Sequence, residues 1–251
     1  MRQSFQFEVL KEPRGFIKVI QVFVAIFAFA TCTDFRGELQ LKQVCNGTMT
    51  HDTGAKFKYP FNTRLQFNVH RCRDWALFPY MRDLSYRSSM EYFVVIGVFC
   101  FLYSLGILVY YIVFEEDQAS SAAPPAKFSP PVIDFVISVV FVVFWFTGAI
   151  ACAAAVTGIK SATNMDTIIK NINLCTKSSI NNVLCTATKQ ANYATLDISA
   201  VMGFLNIFVW CGNLWFLYKE TPWHNPQKTT AATVSGPGGP PPSVQAPAAA
   251  I

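Results

Sequence analysis

Four stretches of the chain, residues 16–33, 92–114, 132–156 and 198–218, are almost unbroken runs of apolar side chains. About 20 apolar helical residues are needed to cross a bilayer core of roughly 30 Å, so each run predicts a membrane span. Lipid offers the backbone no hydrogen-bond partners, which restricts a span to a helix or a closed barrel, and continuous rather than alternating hydrophobicity selects the helix. Tyr92, Tyr110, Tyr111, Trp215 and Tyr218 fall at span ends, where amphipathic rings anchor at the interface. Asp134 lies near the start of the third span and Asp197 just before the fourth. The expected fold class is an all-α membrane protein: a four-helix bundle with a small β-containing, disulfide-closed loop and a disordered C-terminal tail.

The polar segments differ in kind. Residues 34–91 contain the alternating stretches Glu38-Leu39-Gln40-Leu41 and Arg64-Leu65-Gln66-Phe67-Asn68-Val69, which predict a small β-sheet. Residues 115–131 open on Glu115, Glu116 and Asp117 and hold four prolines, the composition of a solvated linker. Residues 157–197 form a third connection. The tail, 219–251, is rich in Pro, Ala and Gly and too poor in large apolar residues to fold. Residues 1–15 precede the first span. That span, with Arg14 and Lys18 ahead of a short apolar run ending Ala28-Phe29-Ala30, also fits a cleavable signal peptide, whose loss would leave three spans. If the span is kept, Lys18 is expected to reach the headgroups of the cytoplasmic leaflet.

Composition strengthens the membrane reading: 52% of residues are hydrophobic and only 14% charged, far from a soluble average. The net charge of +5 comes from scattered cations with no basic run, which argues against a nucleic-acid surface. The eight cysteines do more. Cys32, Cys100, Cys152 and Cys211 fall in or beside spans, whereas Cys45 and Cys72 share the first connection and Cys175 and Cys185 the third. Pairing within each connection requires an oxidising compartment, which places both loops in the lumen and both termini in the cytoplasm. The sequon Asn46-Gly47-Thr48 agrees, because glycosylation takes place on that side. Charge bias disagrees: thirteen of the 20 Lys and Arg lie in the two loops assigned to the lumen. The first of these loops is near the length at which that bias loses force, and Arg14 and Lys18 flank the first span on its cytoplasmic side.

Candidate chemistry is sparse. The three histidines, His51, His70 and His224, have no nucleophile beside them at a known spacing, and no phosphate-binding loop or metal-ligand pattern is present. No catalytic residue, cofactor or metal is therefore expected. His51 and His70 read as solvated loop residues, with sensing of lumenal acidity as the alternative. No charge is expected in the middle of a span to line an ion path, and no span carries the paired breaks of a transporter. Polar residues inside spans are default candidates for helix contacts or a partner site. These are Gln21 in the first span and Asn206 and Asn213 in the fourth, the asparagines seven apart on one face with Gly203 and Trp210. Gly148 and Cys152, with Ala151 and Ala155, give the third span a small-residue face suited to close helix approach.

Particular strings resemble the synaptophysin family, which includes synaptoporin and pantophysin. They are Phe7-Glu8-Val9-Leu10-Lys11-Glu12-Pro13, Ala25-Ile26-Phe27-Ala28-Phe29-Ala30-Thr31-Cys32, Tyr59-Pro60-Phe61, Glu91-Tyr92-Phe93 with Phe101-Leu102-Tyr103-Ser104, and Gly203-Phe204-Leu205-Asn206 through Gly212-Asn213-Leu214-Trp215-Phe216 to Lys219-Glu220-Thr221. The resemblance covers roughly residues 7–223. It implies a MARVEL-type membrane domain over 16–218, cytoplasmic termini, disulfide-closed lumenal loops, and residence in synaptic or other secretory vesicles. It also implies three partners: a synaptobrevin-type SNARE, cholesterol and further copies of the chain. There are departures. The linker lacks the family's basic Tyr-Arg-Glu-Asn-Asn stretch, Ala153–Lys160 lacks its tryptophan motif, and Tyr218 is the last tyrosine, so the tail has no Tyr-Gly repeats. The function expected is non-enzymatic organisation of vesicle membrane composition, exocytosis and recycling. The competing readings are a vesicle channel or transporter component and a junctional or adhesion tetraspan.

Overall fold

The computed structural model of the chain describes residues 13–120, 130–176 and 183–220. The expectations for residues 1–12, for most of the 115–131 linker and for the tail beyond 220 lie outside the described residues. Six helices and five strands are described: α1 (Pro13–Thr33), β1 (Arg36–Cys45), β2 (Met49–Lys58), β3 (Asn62–His70), β4 (Leu77–Ser85), α2 (Arg87–Ser120), α3 (Pro130–Ala162), α4 (Met165–Asn171), α5 (Asn173–Thr176), β5 (Val183–Lys189) and α6 (Ala194–Glu220).

Four of these helices contain segments long and apolar enough to cross a membrane: Gly15–Thr33, Arg87–Val113, Val132–Ala162 and Ala194–Lys219. They extend the apolar runs read from the sequence. α2 begins five residues before Tyr92 and continues through the acidic start of the linker, and α6 begins before Asp197, which pairs with Lys160 at 2.6 Å instead of lying outside the helix. The helices form a ring in which α1 packs on α2 and α6, and α3 on α2 and α6. Aromatic and branched side chains such as Phe16, Phe23, Phe99, Val143, Val201 and Phe208 point outward, as they must where the surrounding solvent is hydrocarbon. The interior mixes small residues (Ala25, Ala28, Ala149, Cys152, Ala155) with a few large rings. Phe93 wedges between helices, edge-on to Trp145 at 5.8 Å. Gly203 makes room for it, since a Cβ there would meet Phe93 Cε2 at 2.7 Å.

The strands lie at the end of the bundle where α1 finishes and α2 begins. A three-stranded antiparallel sheet has the order β2-β1-β5, and β3 and β4 form a separate hairpin. The alternation in the sequence appears directly as burial: along β1, Leu39, Leu41 and Cys45 face inward while Arg36, Glu38, Gln40 and Lys42 face outward. Two alternating stretches had predicted strands. β2 and β4 were not among them, although burial alternates along both, and β5 comes from the third connection, for which no strand was predicted. β5 pairs with β1 at long range, Val44 opposite Leu184 and Gln43 opposite Cys185.

Several contacts join the sheet to the hairpin, among them the hydrogen bond from the Asn68 backbone N–H to Thr53 Oγ1 at 3.0 Å and two further devices. One is the Cys45–Cys72 disulfide. The other is the buried Gln43, whose side-chain amide accepts from the His70 backbone N–H at 2.9 Å and donates to the His70 carbonyl, so that it mimics a paired strand residue. The Cys175–Cys185 disulfide ties α5 to β5. Where strands meet helices, Phe35 packs between Phe57 and Phe61 and stacks on Tyr193, with ring centroids 5.5–6.1 Å apart. This apolar cluster sets the orientation of the sheet on the bundle.

Candidate functional site

At the end of the bundle away from the strands, one carboxylate collects donors from three helices. Lys18 on α1 donates from Nζ to Asp134 Oδ1 on α3 at 3.0 Å, and both side chains are sealed from the surface, at 0% and 2% exposure. Tyr103 and Tyr111, two turns apart on α2, donate to Asp134 Oδ1 at 2.8 Å and to Oδ2 at 3.0 Å. Ser138, one turn further along α3, donates to Oδ1 at 3.3 Å. The amide of Asn213 on α6 donates to Ser138 Oγ at 3.0 Å, which brings in the fourth helix. The ammonium of Lys18 also lies 5.6 Å from the Tyr103 ring centroid and 5.8 Å from that of Trp210, within cation–π range.

The physical case for this arrangement is strict. An isolated charge in hydrocarbon is expensive, so an acid and a base within spans must pair and their remaining hydrogen-bonding capacity must be filled. Here the carboxylate receives four donors. Lys18 therefore does not reach toward headgroups as expected; the nearer stabilisation is Asp134 across the bundle. Nor is Tyr111 simply an interfacial anchor, because its hydroxyl turns inward. The charges inside the spans stand near their ends, not in the middle, and form a neutralised pair. The pairing also argues for retention of α1, since removing it as a signal peptide would strip Asp134 of its cation.

Deeper in the bundle the polarity continues. Ser104 donates to Gln21 Oε1 at 3.4 Å, and Asn206 donates to the Met202 carbonyl at 2.9 Å. Five buried polar side-chain atoms of the bundle have no partner among the described residues: Gln21 Nε2, Trp145 Nε1 and Trp210 Nε1, which are donors, and Asn206 Oδ1 and Asn213 Oδ1, which are acceptors.

The match to known families joins these observations. Residues 9–216 match the model of MARVEL, the membrane-associating domain. The chain belongs to the MARVEL family. Its four apolar helices are thus those of a multi-pass membrane protein, and within the MARVEL domain each residue singled out from the sequence has a defined place. Gln21, Asn206 and Asn213 are buried inside the bundle, as is Cys152. Gly148 sits against Ile96 and Phe93, with Ile96 Cδ1 2.8 Å from where a Cβ would stand, and Gly203 sits against Phe93. All six are buried within the bundle. Cys45 is bonded to Cys72 and Cys175 to Cys185. Asn46 is exposed in the turn between β1 and β2. His51 and His70 are not freely solvated: their rings meet edge to face at 4.5 Å, and His70 stacks on Trp75 at 4.8 Å. No group of three or more His, Cys, Asp or Glu suited to a metal occurs among the described residues.

Sequence reasoning missed Asp134 with Tyr103, Tyr111 and Ser138. A signal was present: Lys18 and Asp134 each stand two residues inside an apolar run that starts from the same side of the membrane. Opposite charges at equal depth are candidates for one ion pair.

Proposed function

We propose that this MARVEL protein is a non-enzymatic organiser of secretory-vesicle membranes, of the synaptophysin subfamily, acting by lateral association with a synaptobrevin-type SNARE, sterol and further copies of itself. One observation carries the reading: the polar chemistry of the spans is turned inward and neutralised at Lys18 and Asp134, while the outer faces are apolar and rich in exposed aromatic rings. Such a surface binds other hydrophobic objects in the plane of the membrane, and the pairing of Lys18 with Asp134 argues against a charged ion path. The two disulfides support a lumenal position for the strands, which puts both termini in the cytoplasm. The family strings over residues 7–223 support the vesicle assignment.

The test is affinity isolation of the tagged protein from a mild-detergent extract of secretory vesicles, with mass spectrometry of the co-isolated proteins. A synaptobrevin-type SNARE is expected, reduced when Val201 and Phe208 on the outward face of α6 are changed to alanine. Recovery at cell contacts with junctional proteins, and absence from vesicles, would overturn the proposal.

A further inference from the structure

At the end of the sheet nearest the helices, a groove of about 680 Å³ runs between the start of β1 and the end of β2. Its lining includes Arg36, Glu38, Lys56, Lys58, Tyr59 and Asn62. Arg36 and Lys58 are direct register partners, as are Glu38 and Lys56, so all four side chains stand on the same outward face. The charges are not balanced there. Glu38 is engaged by Lys189 at 2.6 Å and by Gln40 at 3.1 Å, and Lys56 reaches it only at 3.9 Å. Arg36 and Lys58 form no ion pair among the described residues. The groove therefore presents uncompensated positive charge beside a tyrosine ring and an amide.

Its height above the bilayer is set by the chain on both sides. Arg36 is three residues beyond the last residue of α1, a reach of about 10 Å at strand rise. At the other wall, the Lys58–Asn62 turn is held down by Tyr86, whose backbone N–H donates to the Phe61 carbonyl at 3.1 Å immediately before α2 starts at Arg87. The interfacial layer of a bilayer is about 5–8 Å deep on each side of the hydrocarbon, and with a backbone at most about 10 Å beyond the helix end the long Arg36 and Lys58 side chains can snorkel back into the headgroup zone.

We infer that this groove binds the acidic headgroup of a lipid in the leaflet facing the strands. The apolar chains would lie along the exposed side chains of the bundle while the anionic group meets Arg36 and Lys58, with Lys56 at the outer rim. The inference rests on the membrane-spanning architecture and is independent of any vesicle partner.

The experiment is native mass spectrometry of the delipidated full chain in neutral detergent, titrated with phosphatidylserine or phosphatidylcholine. The unaltered chain should retain phosphatidylserine preferentially, and the preference should weaken with salt. Each interfacial cation contributes roughly a fivefold preference, so Arg36→Gln with Lys58→Gln should lower retention about 25-fold. The charge-conserving pair Arg36→Lys with Lys58→Arg should keep it, and Arg64→Gln with Arg73→Gln, on the other hairpin, should leave it unchanged. Equal retention of both lipids by the unaltered chain would overturn the inference without reliance on any variant. So would undiminished retention by a folded R36Q/K58Q chain. Displacement of the lipid by millimolar inorganic phosphate would assign the groove to a soluble anion instead.

Discussion

Lys18 and Asp134 lie 116 positions apart in the chain, yet their side chains meet at 3.0 Å inside the bundle and link its first helix to its third. Breaking one side of such a pair leaves the other charge buried and alone. Lys18→Met should destabilise the detergent-solubilised protein by about 3–5 kcal/mol, and Lys18→Met combined with Asp134→Asn should recover most of that loss. Thermal unfolding of the two single variants and the double variant measures the coupling; simple additivity would show that the pair contributes nothing specific.

Gly203 supplies the space into which the Phe93 ring fits. Gly203→Ala should cost roughly 1–3 kcal/mol through overpacking, and the further change Phe93→Leu should relieve part of it. Thermal stability in detergent reads both variants. A Gly203→Ala protein as stable as the native one would show that the helices can separate there without loss.

Asn46 stands exposed at the β1–β2 turn, immediately after a cystine. If the strands are lumenal, the protein expressed in secretory cells should shift on a gel after glycosidase treatment, and Asn46→Gln should abolish the shift. Labelling of Lys42 or Lys56 by an impermeant reagent applied to the cytoplasmic side of sealed vesicles would reverse the assigned topology.

The carboxyl of Glu38 is held below the ordinary glutamate range, first by the hydrogen bond from Lys189 and then by that from Gln40. Because the folded value is the depressed one, the tie between β1 and β5 is present above the unfolded value and is lost as pH falls through the folded value. A mildly acidic lumen should leave it intact. Carboxyl ¹³C shifts of labelled glutamate should show Glu38 titrating below its ordinary value, and Lys189→Met should move the titration upward.

The apolar runs were sufficient by themselves to determine four helices, because hydrocarbon forces every backbone group to be satisfied within its own segment. Alternation likewise determined β1 and β3, whose inner faces are buried. Cysteine placement suggested both bridges, since two pairs of thiols in two separate loops leave few combinations. Other features depended on tertiary structure. β5 is a strand because β1 offers it an edge, and that edge comes from a segment more than a hundred residues away. Asn206 and Asn213 could face a partner or the interior with equal right in a helical projection; the ring of four helices turned them inward. Lys18 carries the same signature whether it reaches for headgroups or for a carboxylate. The outcome was decided when α3 placed Asp134 at the same depth, where a low-dielectric interior makes a close opposite charge, with three hydroxyl donors on the same carboxylate, worth more than distant water.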